Sequence, residues 1–210
     1  LLETNRGCPY SCTFCQQGET YYSRMFFKSF EFVTSELDYI AERVDPDAGL
    51  YMIDSNWGMY KEDIPIAHHL KKLNEGKNWP KYIDCDTGKS QYDRIRHVAL
   101  DILPGLMSIS NSVQTMDVNV LKNIKRRQVK DAVQLIKDFK GEVQQPDFIL
   151  PLPGETKEGF IEGMKSLLDT KENVRFRVHP TQMLSATELD TKESVNKYGL
   201  QYKYRQHSNF

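Results

Sequence analysis

Arg6-Gly7-Cys8-Pro9-Tyr10-Ser11-Cys12-Thr13-Phe14-Cys15 is the stretch that decides this chain: a Cys-x3-Cys-x2-Cys run close to the N-terminus. Three thiolates packed so tightly can converge on one metal centre if the loop curls around it. A cubane of four irons needs four ligands, and protein clusters usually take four cysteines. Three leave one iron open, and an open metal site is where a substrate or cofactor binds. Gly7 and Pro9 suit such a loop, since glycine permits close backbone approach and proline fixes one dihedral. Other readings stay open at this point. Cys85 is the one remaining cysteine, and a cytosolic chain would hold its thiols reduced, which argues against a disulfide. Zinc with Cys85 as fourth ligand is a rival, although structural zinc sites more often use two separated Cys-x2-4-Cys knuckles. Inert core cysteines are not expected beside Arg6, Gly7 and Pro9.

Outward from the loop, short strand-like runs alternate with helix-period runs, which argues for successive βα units and a parallel sheet. Leu1 to Thr4 reads as the end of a first strand. Phe30, Val33, Leu37, Ile40 and Val44 step by three and four along a helix that Ser29 can cap. Leu50 to Ile53 reads as a buried strand ending at Asp54. The next helix turns Ile64, Ala67, Leu70 and Leu73 inward, with Gly76 past its end. Tyr82 to Cys85 is a third strand, and Ser90 caps a helix buried by Ile95, Val98 and Ile102. Leu106 to Val113 is the fourth strand. Leu121 and Ile124 anchor a short helix, and Val129, Val133, Ile136 and Phe139 a second one closed by Gly141. Asp147 to Leu150 is the fifth strand, with Phe160, Met164 and Leu167 facing in from its helix, and Val174 to Val178 is the sixth. The expected fold class is α/β: six βα-type units in an open parallel sheet, a partial (β/α)6 TIM-like barrel. From about Ser185 the sequence is charged and weakly periodic and has no assigned element. In such barrels the reactive end is the C-terminal edge of the strands, and the cysteines, Asp54-Ser55-Asn56, Ser112 with Gln114, and Pro153-Gly154-Glu155-Thr156 are all expected there.

At 210 residues the chain is about one domain's worth. Its 28 basic and 29 acidic residues are interspersed, so nothing marks it as a nucleic-acid binder. No apolar run reaches the length of a membrane span, and the N-terminus is not signal-like.

The cysteine spacing, with Phe14 just before the third cysteine, resembles the cluster loop of the radical S-adenosylmethionine (SAM) superfamily. The resemblance implies that Cys8, Cys12 and Cys15 hold a [4Fe-4S] cluster. It implies that the amino and carboxylate groups of SAM occupy the open iron, and that reductive cleavage releases a 5′-deoxyadenosyl radical. Phe14 resembles the aromatic residue beside the adenine; simple packing under the loop is its other reading. Asp54-Ser55-Asn56-Trp57-Gly58 stands where many members carry a Gly-Gly-Glu whose backbone accepts from the SAM ammonium. The chain departs from that pattern. Unpaired strand-edge carbonyls or an acidic side chain serve the same end, and an ordinary Asx turn is the alternative.

Ser110 to Thr115 resembles the family's strand-four segment, where a polar side chain meets the ribose or the SAM carboxylate. By strand alternation Ser110, Ser112 and Gln114 share one face, with a buried water network as the alternative. Leu150-Pro151-Leu152-Pro153-Gly154-Glu155-Thr156 resembles the Leu-Pro-Gly-Glu-Thr of the cobalamin-associated branch and of the methylthiotransferases. Pro-Gly makes the turn, Thr156 caps the following helix, and Gly154 lets SAM approach the backbone. Cys85 reads as a small buried hydrophobe, His179 as structural in preference to a base, and Lys89 as either solvated or paired with a carboxylate.

The pattern is most similar to the cobalamin-associated branch. That implies methylation, cyclisation or rearrangement of a small-molecule or peptide substrate, with a reductant such as flavodoxin or ferredoxin. Methylthiotransferase-like activity on RNA or protein is the second reading, though no basic patch or appended RNA-binding segment supports it. A non-catalytic iron–sulfur electron-transfer protein is the third, and a carrier rarely needs an open iron. The oxygen sensitivity of an exposed cluster points to a cytoplasmic location. Residues 1–189 read as the core domain and 190–210 as a C-terminal extension. The chain begins at Leu1, almost on the cluster loop, and reads as a piece of something longer. An upstream α/β cobalamin-binding domain of roughly 150 residues is expected, carrying an Asp-x-His-x-x-Gly segment. No such segment occurs in these 210 residues, so cobalamin is expected to require that domain.

Overall fold

Each strand run pairs with the next in chain order, so the sheet is built sequentially. The structure is a computed structural model that describes residues 1–107, 109, 111–127, 132–139 and 144–204. At one edge Leu2 bridges Met52 in parallel, held by Leu2 N–H on Tyr51 O and Ile53 N–H on Leu2 O. Strand β1 (Asn5–Arg6) then turns away to pair antiparallel with β2 (Phe26–Phe27), and this short ribbon closes the base of the cysteine loop. Strand β3 (Leu50–Trp57) pairs in parallel with β4 (Ile83–Thr87). A bridge from Ile83 to Met107 leads on to β5 (Asn111–Gln114). That strand pairs in parallel with β6 (Pro146–Leu150), and β6 with β7 (Arg177–Pro180). The result is six strand positions in a parallel, open arrangement, without a closing pair between β7 and the N-terminal segment among the described residues.

Helices cover the strands because their apolar residues recur at helical spacing. Helix α1 (Phe30–Ala41) starts at Ser29, whose side chain accepts from Phe32 N–H. Helix α2 (Asp63–Lys77) follows β3, and α3 (Tyr92–Arg96) runs into a π-helical turn, His97–Ile102, after β4. Helices α4 (Val118–Asn123) and α5 (Ala132–Asp138) follow β5, and α6 (Lys157–Leu168) follows β6. Val33, Leu37, Met52, Leu70, Ile83, Cys85 and Val98 form one core. Val113, Ile136, Phe148 and Leu167 form a second. There the Phe148 ring meets Phe160 and Phe176 edge-on, at 5.6 and 5.7 Å between centroids. Burying one such ring is worth about 1.5–3 kcal/mol, and a good edge contact about 0.5–1.5 more.

Several boundaries differ from those the sequence suggests. Gly76 lies inside α2, and Asn78 takes the left-handed cap at φ 58°, a conformation its short amide side chain tolerates. Ser90 does not cap α3. Gln91 precedes it without a side-chain cap, while Ser90 Oγ accepts from Tyr10 Oη at 2.8 Å and donates to Met59 Sδ. Strand β3 runs on to Trp57, so Asp54, Ser55 and Asn56 lie within the strand and not after it. Ser110, Val129 and Gly141 fall outside the described residues. The tail that carried no assigned element forms a 3-10 turn at Glu188–Asp190 and helix α7 (Lys192–Tyr198), and Leu189 N–H donates to Thr13 O at 2.8 Å. Among the described residues no helix is long and apolar enough to cross a membrane.

Candidate metal and cofactor site

The cysteine loop is held by backbone contacts that leave room for no side chain at two glycines. Gly7 sits at φ +117°, and a Cβ there would meet Arg24 O at 2.5 Å; at Gly18 it would meet Cys12 O at 2.3 Å. Cys8 N–H donates to Tyr22 O, Cys15 N–H to Cys12 O, and Thr13 N–H to Ile124 O. Tyr10, Cys12 and Met59 pack beneath the loop, with Tyr10 Oη also 3.0 Å from Met59 Sδ.

Cys8, Cys12 and Cys15 all line one cavity of about 300 Å³ at the C-terminal edge of the strands. Strand β3 adds Ser55 and Asn56, β5 adds Ser112 and Gln114, and Phe14 forms part of the wall. Two cations complete the lining, Lys89 after β4 and Arg126 after α4. Asn56 Nδ2 lies 3.4 Å from Cys8 Sγ, and Arg126 Nη1 lies 3.6 Å from Cys12 Sγ. Arg126 Nη2 also donates to Ser112 O at 2.7 Å, which fixes its fork. Asn56 is 1 % exposed, and its Oδ1 has no partner. A buried acceptor left unpaired costs about 1–3 kcal/mol, and this one belongs to a residue that lines the cavity. Burial raises the Cys15 thiol above its usual value. Loss of solvent, with Arg126 beside it, pushes the Lys89 ammonium down to about 8.

These features fit an iron–sulfur cluster with a zwitterionic ligand. Three cysteines line one space, N–H groups aim at two of the sulfurs, the lining residue Asn56 keeps a buried oxygen without a partner, and two cations, Lys89 and Arg126, line the same space. Among the described residues no group of three or more Cys, His, Asp or Glu closes on a single metal ion. A cubane spreads its thiolate ligands over separate irons, which makes that spacing compatible with a cluster. Cys85, the fourth ligand of the zinc alternative, is 2 % exposed in the first core, and burial pushes its thiol far up.

Two residues expected at the cofactor lie elsewhere. Asp54 turns to the N-terminal segment, accepting from Thr4 N–H, Thr4 Oγ1 and Asn5 N–H. It does not line the cavity, because those three donors are buried and would be unpaired without it. Gly154, at φ +86°, is also absent from the lining; a Cβ there would meet Asn123 Nδ2 at 2.8 Å, so the turn itself requires glycine. Thr156 caps α6 through Gly159 N–H. His179 lines a neighbouring pocket that shares Phe14 with the cavity, and its Nε2 is 2.9 Å from Asp147 Oδ1. Arg126 and Tyr10 were missed as site residues. Arg126 follows the short apolar anchor of α4, and no local signal separates it from Lys125 and Arg127 beside it.

Comparison with known proteins follows the same lines. Residues 2–167 match the family described as the radical SAM superfamily. The cobalamin-dependent radical SAM methyltransferase TokK of Streptomyces tokunonensis is 31 % identical over 95 % of this chain. The 2-(S-pantetheinyl)-carbapenam-3-carboxylate methyltransferase of Streptantibioticus cattleyicolor is equally similar, at 31 % over 95 %. The chain spans about 30 % of the length of either relative. Among solved structures, the radical SAM methyltransferase TsrM of Kitasatospora setae, with tryptophan and aza-SAM bound, superposes with a TM-score of 0.62. That match has 12 % identity and covers 83 % of this chain and 34 % of TsrM, which speaks for the fold alone.

Proposed function

The chain belongs to the radical SAM superfamily, and from that premise we propose that Cys8, Cys12 and Cys15 hold the family's [4Fe-4S] cluster and that the cavity they line takes SAM. The observation that carries this reading is that all three cysteines line the same cavity, together with Ser55, Asn56, Ser112 and Gln114. When bound, the cluster supplies the electron that cleaves SAM reductively to a 5′-deoxyadenosyl radical.

The chain's own residues bind and orient. The strand-edge segment meets the SAM ammonium, a role expected of Asp54-Ser55-Asn56 as a whole and supported here by Ser55 and Asn56 as lining residues. Lys89, which lines the same cavity as the thiols, meets the SAM carboxylate. The Ser112 and Gln114 side chains meet polar groups of the cofactor from β5, and Phe14 lies against its adenine. Gly154 acts through the turn that ends β6. Leu189 N–H on Thr13 O supports counting the segment up to residue 189 with this core, and we keep 190–210 as an extension.

For the whole protein, of which this chain matches the radical SAM part, we propose cobalamin-dependent methyl transfer to a small molecule, supplied with electrons by an external reductant such as a flavodoxin or ferredoxin. The two methyltransferase relatives support this over cyclisation or rearrangement. The test is anaerobic incubation of the full-length protein with SAM, cobalamin and dithionite. Release of 5′-deoxyadenosine or S-adenosylhomocysteine, dependent on Cys8, Cys12 and Cys15, is the expected result. Neither product from iron-loaded protein would overturn the proposal.

A further inference from the structure

Two thiols of the cysteine loop have a side-chain N–H donor, and the two donors come from different parts of the chain. Cys8 Sγ takes Asn56 Nδ2 at 3.4 Å, from β3. Cys12 Sγ takes Arg126 Nη1 at 3.6 Å, from the segment after α4. Both side-chain donors are fixed. Asn56 is 1 % exposed in a strand, and Arg126 is anchored through its second nitrogen to Ser112 O at 2.7 Å.

Reduction of a cluster adds negative charge, much of it carried on sulfur. A hydrogen bond to sulfur therefore favours the reduced form more than the oxidised one and raises the reduction potential. A cationic donor adds direct Coulomb attraction, strengthened where water is scarce. We infer that Asn56 and Arg126 are positioning residues that set the reduction potential of the cluster through Cys8 Sγ and Cys12 Sγ, with Arg126 the larger contributor. The two donors act on the 2+/1+ couple, in which the cluster accepts one electron from a reductant such as dithionite and no other bond changes. Arg126 differs from Lys125 next to it, whose side chain is 51 % exposed and whose ammonium pairs with Glu188. Two adjacent cations thus have opposite assignments, one to the thiol and one to the surface.

This inference rests on the ligand assignment above, and the experiment separates the two. Full-length wild type, Asn56→Leu, Arg126→Gln and Lys125→Gln are reconstituted anaerobically and assayed for iron. Each is then titrated without SAM, following the EPR signal of the reduced cluster. At equal iron content, Arg126→Gln is expected to lower the reduction equilibrium constant about tenfold, equivalent to about 59 mV for one electron. Asn56→Leu should lower it roughly threefold, and Lys125→Gln should leave it unchanged, as expected of an exposed charge screened by solvent. Potentials unmoved in both donor variants, or moved equally by Lys125→Gln, overturn the inference while leaving the cluster in place. Wild type that binds no iron overturns the ligand assignment and the inference together. If a variant fails to hold the cluster, electron spin-echo envelope modulation on reduced wild type, with arginine and asparagine labelled separately with 15N, decides instead. Nitrogen coupling from both labels is expected, and its absence from both contradicts hydrogen bonding to the cluster sulfurs.

Discussion

Removing the Asp54 side chain should unfold the protein before it touches the cofactor. Asp54 is 1 % exposed and accepts Thr4 Oγ1 and Asn5 N–H at 2.6 Å, with Thr4 N–H at 3.1 Å from both of its oxygens. Thr4 and Asn5 are themselves 2 and 3 % exposed, so no water replaces a lost acceptor. Asp54→Ala leaves three buried donors to find partners, at about 1–3 kcal/mol each; allowing for relaxation, a loss of about 4 kcal/mol is expected. Asp54→Asn is predicted to be milder. It keeps one acceptor oxygen and gives up charge-assisted bonds worth about 1 kcal/mol more apiece than neutral ones. Against that, burial already raises the Asp54 pKa despite its hydrogen bonds, so a neutral side chain recovers part of the desolvation cost. A net loss of about 1 kcal/mol follows. Urea unfolding of iron-free protein, followed by circular dichroism with a common m-value, measures both. In cluster-loaded Asp54→Asn, SAM affinity should stay within about threefold of wild type, a difference of about 0.7 kcal/mol. Unchanged stability in Asp54→Ala, or a tenfold loss of SAM affinity in a fully stable Asp54→Asn, would refute the placement of this carboxylate.

Asp63, 1 % exposed at the start of α2, is held at about 7 by burial, well above 3.8, with Tyr60 N–H as a donor and Oδ1 unpartnered. The folded chain therefore keeps this proton where the unfolded chain has lost it. The stabilisation is full below about pH 4 and is lost as pH rises to about 7, by about 4 kcal/mol from this group; denaturation of wild type and Asp63→Asn across that range should diverge accordingly, and parallel curves would contradict the assignment. Gly18→Ala places a Cβ 2.3 Å from Cys12 O, so iron incorporation should fall several-fold while overall helicity is kept; normal iron content would mean that the loop yields easily. Gln114→Ala, at a position 6 % exposed on β5, should weaken SAM binding by roughly tenfold through loss of one hydrogen bond to a charged cofactor group. Equilibrium dialysis of cluster-loaded protein checks it, and unchanged binding would return Gln114 to a structural role.

The cysteine run was legible because its three thiols are close in sequence, and the fold brings them to one cavity. The βα alternation was legible for the same reason, since period and length are local properties. The cap of α2 was not, because Gly76 and Asn78 both suit a left-handed cap and packing around Pro80 decides. Asn74 Nδ2 donates to Pro80 O at 2.8 Å, in line with an end at Asn78. Asp54 was misplaced for a different reason: its partners Thr4 and Asn5 are distant in sequence, and nothing at the strand edge announces them. Lys89 and Arg126 meet at the thiols only through the curvature of the sheet. The docking of Leu189 on the cysteine loop likewise depends on folding the tail back across the strands.

The ligand assignment is tested most directly by counting iron and sulfide after anaerobic reconstitution and recording the EPR spectrum of the reduced protein before and after SAM. Four irons per chain, a spectrum that changes on adding SAM, and loss of the cluster in Cys8→Ala, Cys12→Ala or Cys15→Ala but not in Cys85→Ala are the expected results. Stoichiometric zinc in place of iron, a spectrum indifferent to SAM, or a requirement for Cys85 would contradict it.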